Sequence, residues 1–167
     1  MTKIFGAAVL VAAGLLIGRA NAARCWDKAA AIHSLIEILE LVRAGLQSRK
    51  RLSEICISPS GAEGYCGAFF RVLAKGLQAS AEMGMTEIWE QSLTDVFGRV
   101  LSGSALAACR SVGTALAMGQ GVDDAAQRSL RRLENLLRAA EERAERDGRL
   151  YTGVGMAMGA IVSIVLV

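Results

Sequence analysis

Four cysteines, Cys25, Cys56, Cys66 and Cys109, and one histidine, His33, are the residues of this chain best suited to bind a metal or attack a substrate. Their spacing argues against both roles. Structural zinc takes four converging ligands, usually supplied as close pairs, and the sequence has no Cys-x-x-Cys. A nucleophile would have to use His33 as its base, and His33 sits between Ile32 and Leu35 in a helix patterned for a core. The chain has no Gly-x-x-x-x-Gly-Lys-Ser/Thr phosphate loop and no Gly-x-Ser-x-Gly elbow. Glu63, Glu82, Glu87 and Glu90 lack a His or Asp metal partner and read as surface and capping acids. The expectation is a protein that is not an enzyme and holds no cofactor or metal. Its thiols are expected to be reduced and either buried or idle.

The elements around these residues are set by where charge is missing. Ile4 to Gly18 and Leu150 to Val167 contain no charged residue. A bilayer core of ~30 Å is crossed by about 20 apolar residues in a helix. The second run is nearly long enough. The first is extended by Ala20 to Ala23, with Lys3 and Arg19 placed to reach the headgroups. The predicted organisation is an N-terminal transmembrane anchor (1–23), a helical bundle domain (24–149) and a C-terminal transmembrane anchor (150–167). Of the 19 Lys and Arg residues, only Lys3 precedes the first apolar run and none follows the second. The positive-inside rule therefore puts the middle in the cytoplasm, where Cys66 and Cys109 would escape an impermeant thiol reagent. A rival reading takes the basic start, the apolar run and Ala20-Asn21-Ala22 as a cleavable signal peptide. Arg19, Arg24 and Lys28 around that point argue against it.

Composition limits the middle to one small all-α domain. The chain has one proline and 5% aromatic residues, too few aromatics for a large sheet. A net charge of +3 suits a lipid neighbourhood, but there is no concentrated basic stripe with stacking aromatics, so nucleic acid is not an expected partner. Ile32, Leu35, Ile36, Leu39, Val42 and Leu46 form one face of a helix that continues from the first anchor. Ile57 to Gly67 reads as a loop. A second helix is expected from Tyr65 to Met83, closed by Gly84. A short third helix is capped by Thr86, with Trp89 as its core anchor. A fourth starts at Ser102 or Ser104 and carries Leu106, Cys109, Val112, Gly113 and Leu116 on one stripe. Gly113 would let a neighbouring helix approach closely.

The last helix is the most regular. Asp123 or Asp124 is expected to cap it, and Gln127 to hydrogen-bond one turn on. Val122, Ala126, Leu130, Leu133, Leu137, Ala140 and Ala144 make a near-heptad seam. Glu134–Arg138 and Glu142–Arg146 are spaced for ion pairs worth about 0.2–0.5 kcal/mol each. The opposite face, with Arg131, Arg138 and Glu142, is the candidate partner-binding surface. Gly155 and Gly159 in the second anchor have the spacing of a helix-packing pair in lipid.

Taken together, the order of elements resembles the stage III sporulation protein AB family of endospore-forming bacteria. The residues that carry the resemblance are Leu35-Ile36-Glu37-Ile38-Leu39-Glu40, Ile88-Trp89-Glu90-Gln91-Ser92-Leu93, Gly113 with Leu116 and Gly119, and Asp123-x-x-x-Gln127. The likeness extends, more remotely, to the cytoplasmic domain of the inner-membrane platform protein of type II secretion and type IV pilus systems. The start after the first long helix, Arg51-Leu52-Ser53-Glu54-Ile55, departs from the family pattern, and the spacing from Gly113 to Asp123 is longer. The resemblance implies a membrane platform in a secretion-like channel between mother cell and forespore. Its partners would be a secretion-type ATPase, stage III sporulation protein AA, and other channel subunits, with a homo-oligomer also open. The alternative is a membrane-anchored helical adaptor or signalling module unrelated to sporulation.

Overall fold

The computed structural model describes residues 2–57, 59–61, 63–79, 83–101 and 103–166. Within 1–22 and 148–167 it describes only a few side chains, among them Leu16, Arg19, Leu150 and Val154. Among the described residues every regular element is helical: α1 (Thr2–Gln47), α2 (Leu52–Ile57), a 3-10 turn (Pro59–Gly61), α3 (Gly64–Ala79), α4 (Met85–Phe97), α5 (Gly103–Met118) and α6 (Val122–Leu166). The all-α expectation holds. The chain forms two compact units, one from Met1–Ala29 with Arg138–Val167, the other from Ala30–Leu137. Their borders fall inside the two long helices rather than at the ends of the apolar runs.

No helix is, among the described residues, long and apolar enough to cross a membrane. The flanking transmembrane helices expected at 1–23 and 150–167 are therefore unsupported here. Their backbones are helical parts of α1 and α6, but most of their side chains, with Gly155 and Gly159, lie outside the described residues.

Within the unit of Ala30–Leu137, helical periodicity builds the core. Helix α1 buries Ala31, Ile32, Leu35, Ile38, Leu39 and Val42. These positions recur at three and four residues and form one stripe. Ile38 is in the core, while Ile36, expected there, is only half-buried at its flank. The end of α1 is a Schellman closure: Lys50 N–H donates to Gly45 O at 3.0 Å and Arg49 N–H to Leu46 O at 2.9 Å. Arg49 therefore takes the left-handed conformation, with φ 56°.

The stretch after α1 holds structure that composition did not reveal. Helix α2 lies just before the expected loop and buries Ile55 and Cys56, and the loop region itself holds the 3-10 turn and the start of α3. Several helix starts also differ from expectation. Helix α4 begins at Met85 behind Gly84, so Thr86 lies inside the first turn and Gly84 opens α4 rather than closing α3. Helix α3 ends at Ala79.

The interior is aromatic at its centre. The chain has two Trp, two Tyr and four Phe, and Tyr65, Phe69, Phe70, Trp89 and Phe97 gather here, so this sparse resource is spent where α3 meets α4. Phe69 meets Trp89 edge-on with ring centroids 5.1 Å apart and Phe70 at 5.5 Å; Tyr65 stacks on Phe97 at 5.5 Å. Such pairs add about 0.5–1.5 kcal/mol beyond the area they bury. Helix α5 supplies small residues against this cluster, Ala105, Ala108, Cys109, Val112 and Gly113.

Candidate partner-binding surface

The Arg131 surface begins with how α6 is held. In the unit of Ala30–Leu137, α6 buries Ala125, Ala126, Ser129, Leu130 and Leu133. The Ser129 hydroxyl lies 2.5 Å from Ala108 O on α5 and 2.8 Å from Ala125 O on its own helix. A buried serine thus ties α6 to α5. At 3.6 residues per turn, the positions opposite this stripe are Asp124, Arg128, Arg131 and Asn135, and all four are exposed.

Arg131 stands near the middle of that face and makes no hydrogen bond or ion pair among the described residues. Arg128 and Arg132 flank it, against Asp124 and Glu134, so the local balance is basic. Arg138 and Glu142 are also exposed, one turn apart on α6, but they belong to the other compact unit. The three candidate residues are thus divided between the two units. The described ion pairs are Arg43–Asp123 and Glu90–Arg110, the latter at 4.0 Å. Neither expected pair on α6 is among them, as suits solvated groups whose attraction water screens.

Asp123 is not a cap. The first turn of α6 closes on Gly121, whose carbonyl accepts from Ala125 N–H at 3.0 Å. The Asp123 carboxylate instead accepts from Arg43 Nε at 2.5 Å and from Gln47 Nε2 at 3.1 Å, tying the start of α6 to the last turns of α1. The hydrogen bond from Arg43 holds the Asp123 carboxyl below its ordinary range, and the same bond raises the guanidinium. This clamp joins residues 80 positions apart, and no local sequence signal announces it. Gln127 is exposed and makes no side-chain hydrogen bond among the described residues.

Trp89 is fully buried and Gly113 lies directly beneath its ring. Cys56, Cys66 and Cys109 are buried too. Burial pushes the thiols of Cys56 and Cys66 up to about 11 and that of Cys109 to about 12, which leaves them protonated and poor nucleophiles. Among the described residues no three His, Cys, Asp or Glu side chains are grouped to hold a metal ion. A depression of about 360 Å³ between α3 and α4 is lined by Lys75, Gly76, Ile88, Ser92 and Asp95 among others; the Ser92 hydroxyl donates to Ile88 O at 2.8 Å, one turn back on its own helix.

The family model for stage III sporulation protein AB matches residues 3–167. The chain belongs to the stage III sporulation protein AB family. Membership covers both compact units and confirms the resemblance first carried by the Trp89 and Gly113 segments. It supports a role in stage III of sporulation. No curated protein and no solved structure matches the chain.

Proposed function

We propose that this family member is a non-enzymatic membrane platform of the secretion-like channel between mother cell and forespore. The two uncharged runs, Ile4–Gly18 and Leu150–Val167, support anchoring in the mother-cell membrane around the forespore. The excess of Lys and Arg between them supports a cytoplasmic middle. There the protein receives a secretion-type ATPase, stage III sporulation protein AA, and passes position or motion to other channel subunits.

The observation that carries the ATPase contact is Arg131: exposed, unpaired among the described residues, and set opposite the stripe that builds the core. A helix face that folding does not use, with a local excess of Arg, fits an acidic surface on a partner. Arg138 and Glu142 are separate candidates in the other unit.

The test is titration of the full chain, in lipid nanodiscs, against the ATPase at two ionic strengths. Arg131→Glu is expected to weaken association severalfold at low salt and less at high salt, because exposed charges act over a Debye length of about 10 Å at 0.1 M. Arg138→Glu is measured alongside to separate the two units. Unchanged binding of a folded Arg131→Glu variant at both salts would remove this face from the reading.

A further inference from the structure

The unit formed by Met1–Ala29 and Arg138–Val167 exposes apolar surface out of proportion to what is described of it. Seven large apolar side chains are exposed among the described residues, and four of them, Leu16, Trp26, Leu150 and Val154, belong to this unit. Trp26 is the largest of these and 51% exposed. Its neighbours Arg24, Asp27 and Lys28 are exposed as well. Water on all sides is a poor setting for an indole. So is the hydrocarbon core, which would leave its N–H without a partner. A setting that suits both ends of the ring is the boundary between them, where Trp and Tyr are enriched in membrane proteins.

The position along α1 agrees. From Ile4 to Ala23 is 20 residues, about 30 Å of helix, which matches the hydrocarbon thickness. Trp26 is three residues further, about 4–5 Å beyond that edge. A headgroup layer is roughly 5–7 Å deep on each side, so Trp26 falls inside it. Arg24 and Lys28 then stand at the level of lipid phosphates. The other apolar run begins Leu150-Tyr151, so the sequence sets a tyrosine at that border as well.

We infer that Trp26 is a headgroup-level anchor that fixes how deep α1 sits in an anionic bilayer, with Arg24 and Lys28 holding lipid phosphates. This rests on the membrane-platform reading above and adds a specific depth to it. It commits the exposed surface at Trp26 to lipid rather than to a partner helix.

The chain has two tryptophans, and Trp89 is buried in the aromatic core, so the two emissions separate cleanly. The full chain is reconstituted in vesicles of phosphatidylcholine with a minority of phosphatidylglycerol, carrying spin labels at the headgroup, the upper acyl chain or the acyl terminus. Trp26 emission is read from Trp89→Phe, and independently from the difference between the native chain and Trp26→Phe, in case the core variant fails to fold. The expected result is severalfold stronger quenching of Trp26 by the headgroup and upper-chain labels than by the terminal one, with little effect on Trp89. Strongest quenching by the terminal label would place Trp26 in the core and overturn the inference. Quenching by aqueous iodide alone would place it in water, and protection from every quencher would mean that protein covers it; both overturn it. Flotation with the vesicles is scored in parallel. A chain that floats but gives any of these contrary patterns loses this inference alone, whereas one that does not float loses the membrane reading with it.

Discussion

The indole of Trp89 fills the space where Gly113 lacks a side chain. A Cβ on Gly113 would lie 2.5 Å from Trp89 Cδ1 and 2.8 Å from Cγ. The ring's N–H donates to Cys109 O at 3.0 Å, one turn back along the same helix. Phe69 meets the ring edge-on from α3. Trp89 therefore sets the approach of α4 to α5 and of α3 to α4 at once, and the helix that receives it must be bare at position 113.

Gly113→Ala should destabilise the protein. Alanine gains about 1 kcal/mol in helix propensity over glycine. Overpacking a tight core costs about 1–3 kcal/mol, and an indole held on two sides has little room to yield. The contrast is Gly45→Ala. Its Cβ would come equally close, 2.5 Å, to Ile55 Cδ1 and Cγ1, but these belong to one aliphatic side chain on a six-residue helix, not to an indole held on two sides. Urea denaturation should show a lower midpoint for Gly113→Ala than for Gly45→Ala. A Gly113→Ala variant as stable as native would mean that Trp89 moves freely. Trp89→Ala should cost more than either, about 3–5 kcal/mol.

The Arg43–Asp123 clamp predicts an acid-side signature. The folded-state pKa of Asp123 is lowered by Arg43, so its contribution is present above the unfolded value of about 3.9 and is lost as pH falls through the lower folded value. The melting temperature of Asp123→Asn should lie below native near neutral pH, and the gap should close as pH drops below about 3.9. Added salt should narrow it at neutral pH, since Asp123 is exposed and Arg43 is partly so. A gap that stays constant into acid would show that the carboxylate charge contributes nothing.

The thiols predict the opposite slope. Cys56, Cys66 and Cys109 have raised values, about 11, 11 and 12. Folding keeps them protonated at a pH where the unfolded chain, at about 8.5, releases the proton. Stability should thus be unaffected below about 8.5 and decline as pH rises from there toward the folded values. An aromatic disulfide reagent at neutral pH should find Cys25, which is partly exposed, and reach the other three only on unfolding. Rapid native labelling of Cys109 would contradict its burial. The same burial removes Cys66 and Cys109 as topology reporters, because they would stay silent from either side of a membrane. An exposed position such as Gln120→Cys, in a chain with Cys25 replaced by Ser, serves that purpose.

What could be read from sequence was what repeats locally. The stripes of α1, α4 and α5 followed from spacings of three and four, and Trp89 and Gly113 were legible because each is unusual within its own helix. Ile36, next to Leu35, and Ile38, next to Leu39, each stand about 100° from a stripe residue, so spacing alone does not say which of them the core takes. Helix α2 was hidden by its brevity and by the Ser, Pro and Gly residues after it. The role of Asp123 could not be read at all. A carboxylate at a helix start looks like a cap, and only the return of the chain beside Arg43 and Gln47 gives it better partners. The Arg131 face was visible as a run of charge, but not its division between two compact units.

Helix α6 offers an internal control for the surface reading. Leu133 and Arg131 are two residues apart, so they point to nearly opposite sides; Leu133 is fully buried and Arg131 exposed. Leu133→Ala should cost about 2–5 kcal/mol, the range for truncating a buried leucine. Arg131→Glu should stay within about 0.5 kcal/mol of native, as exposed substitutions do. Urea midpoints of the two variants, with unchanged slopes, check both. A large loss for Arg131→Glu would show that the guanidinium is engaged in folding, and any loss of ATPase binding by that variant would then no longer speak for a docking face.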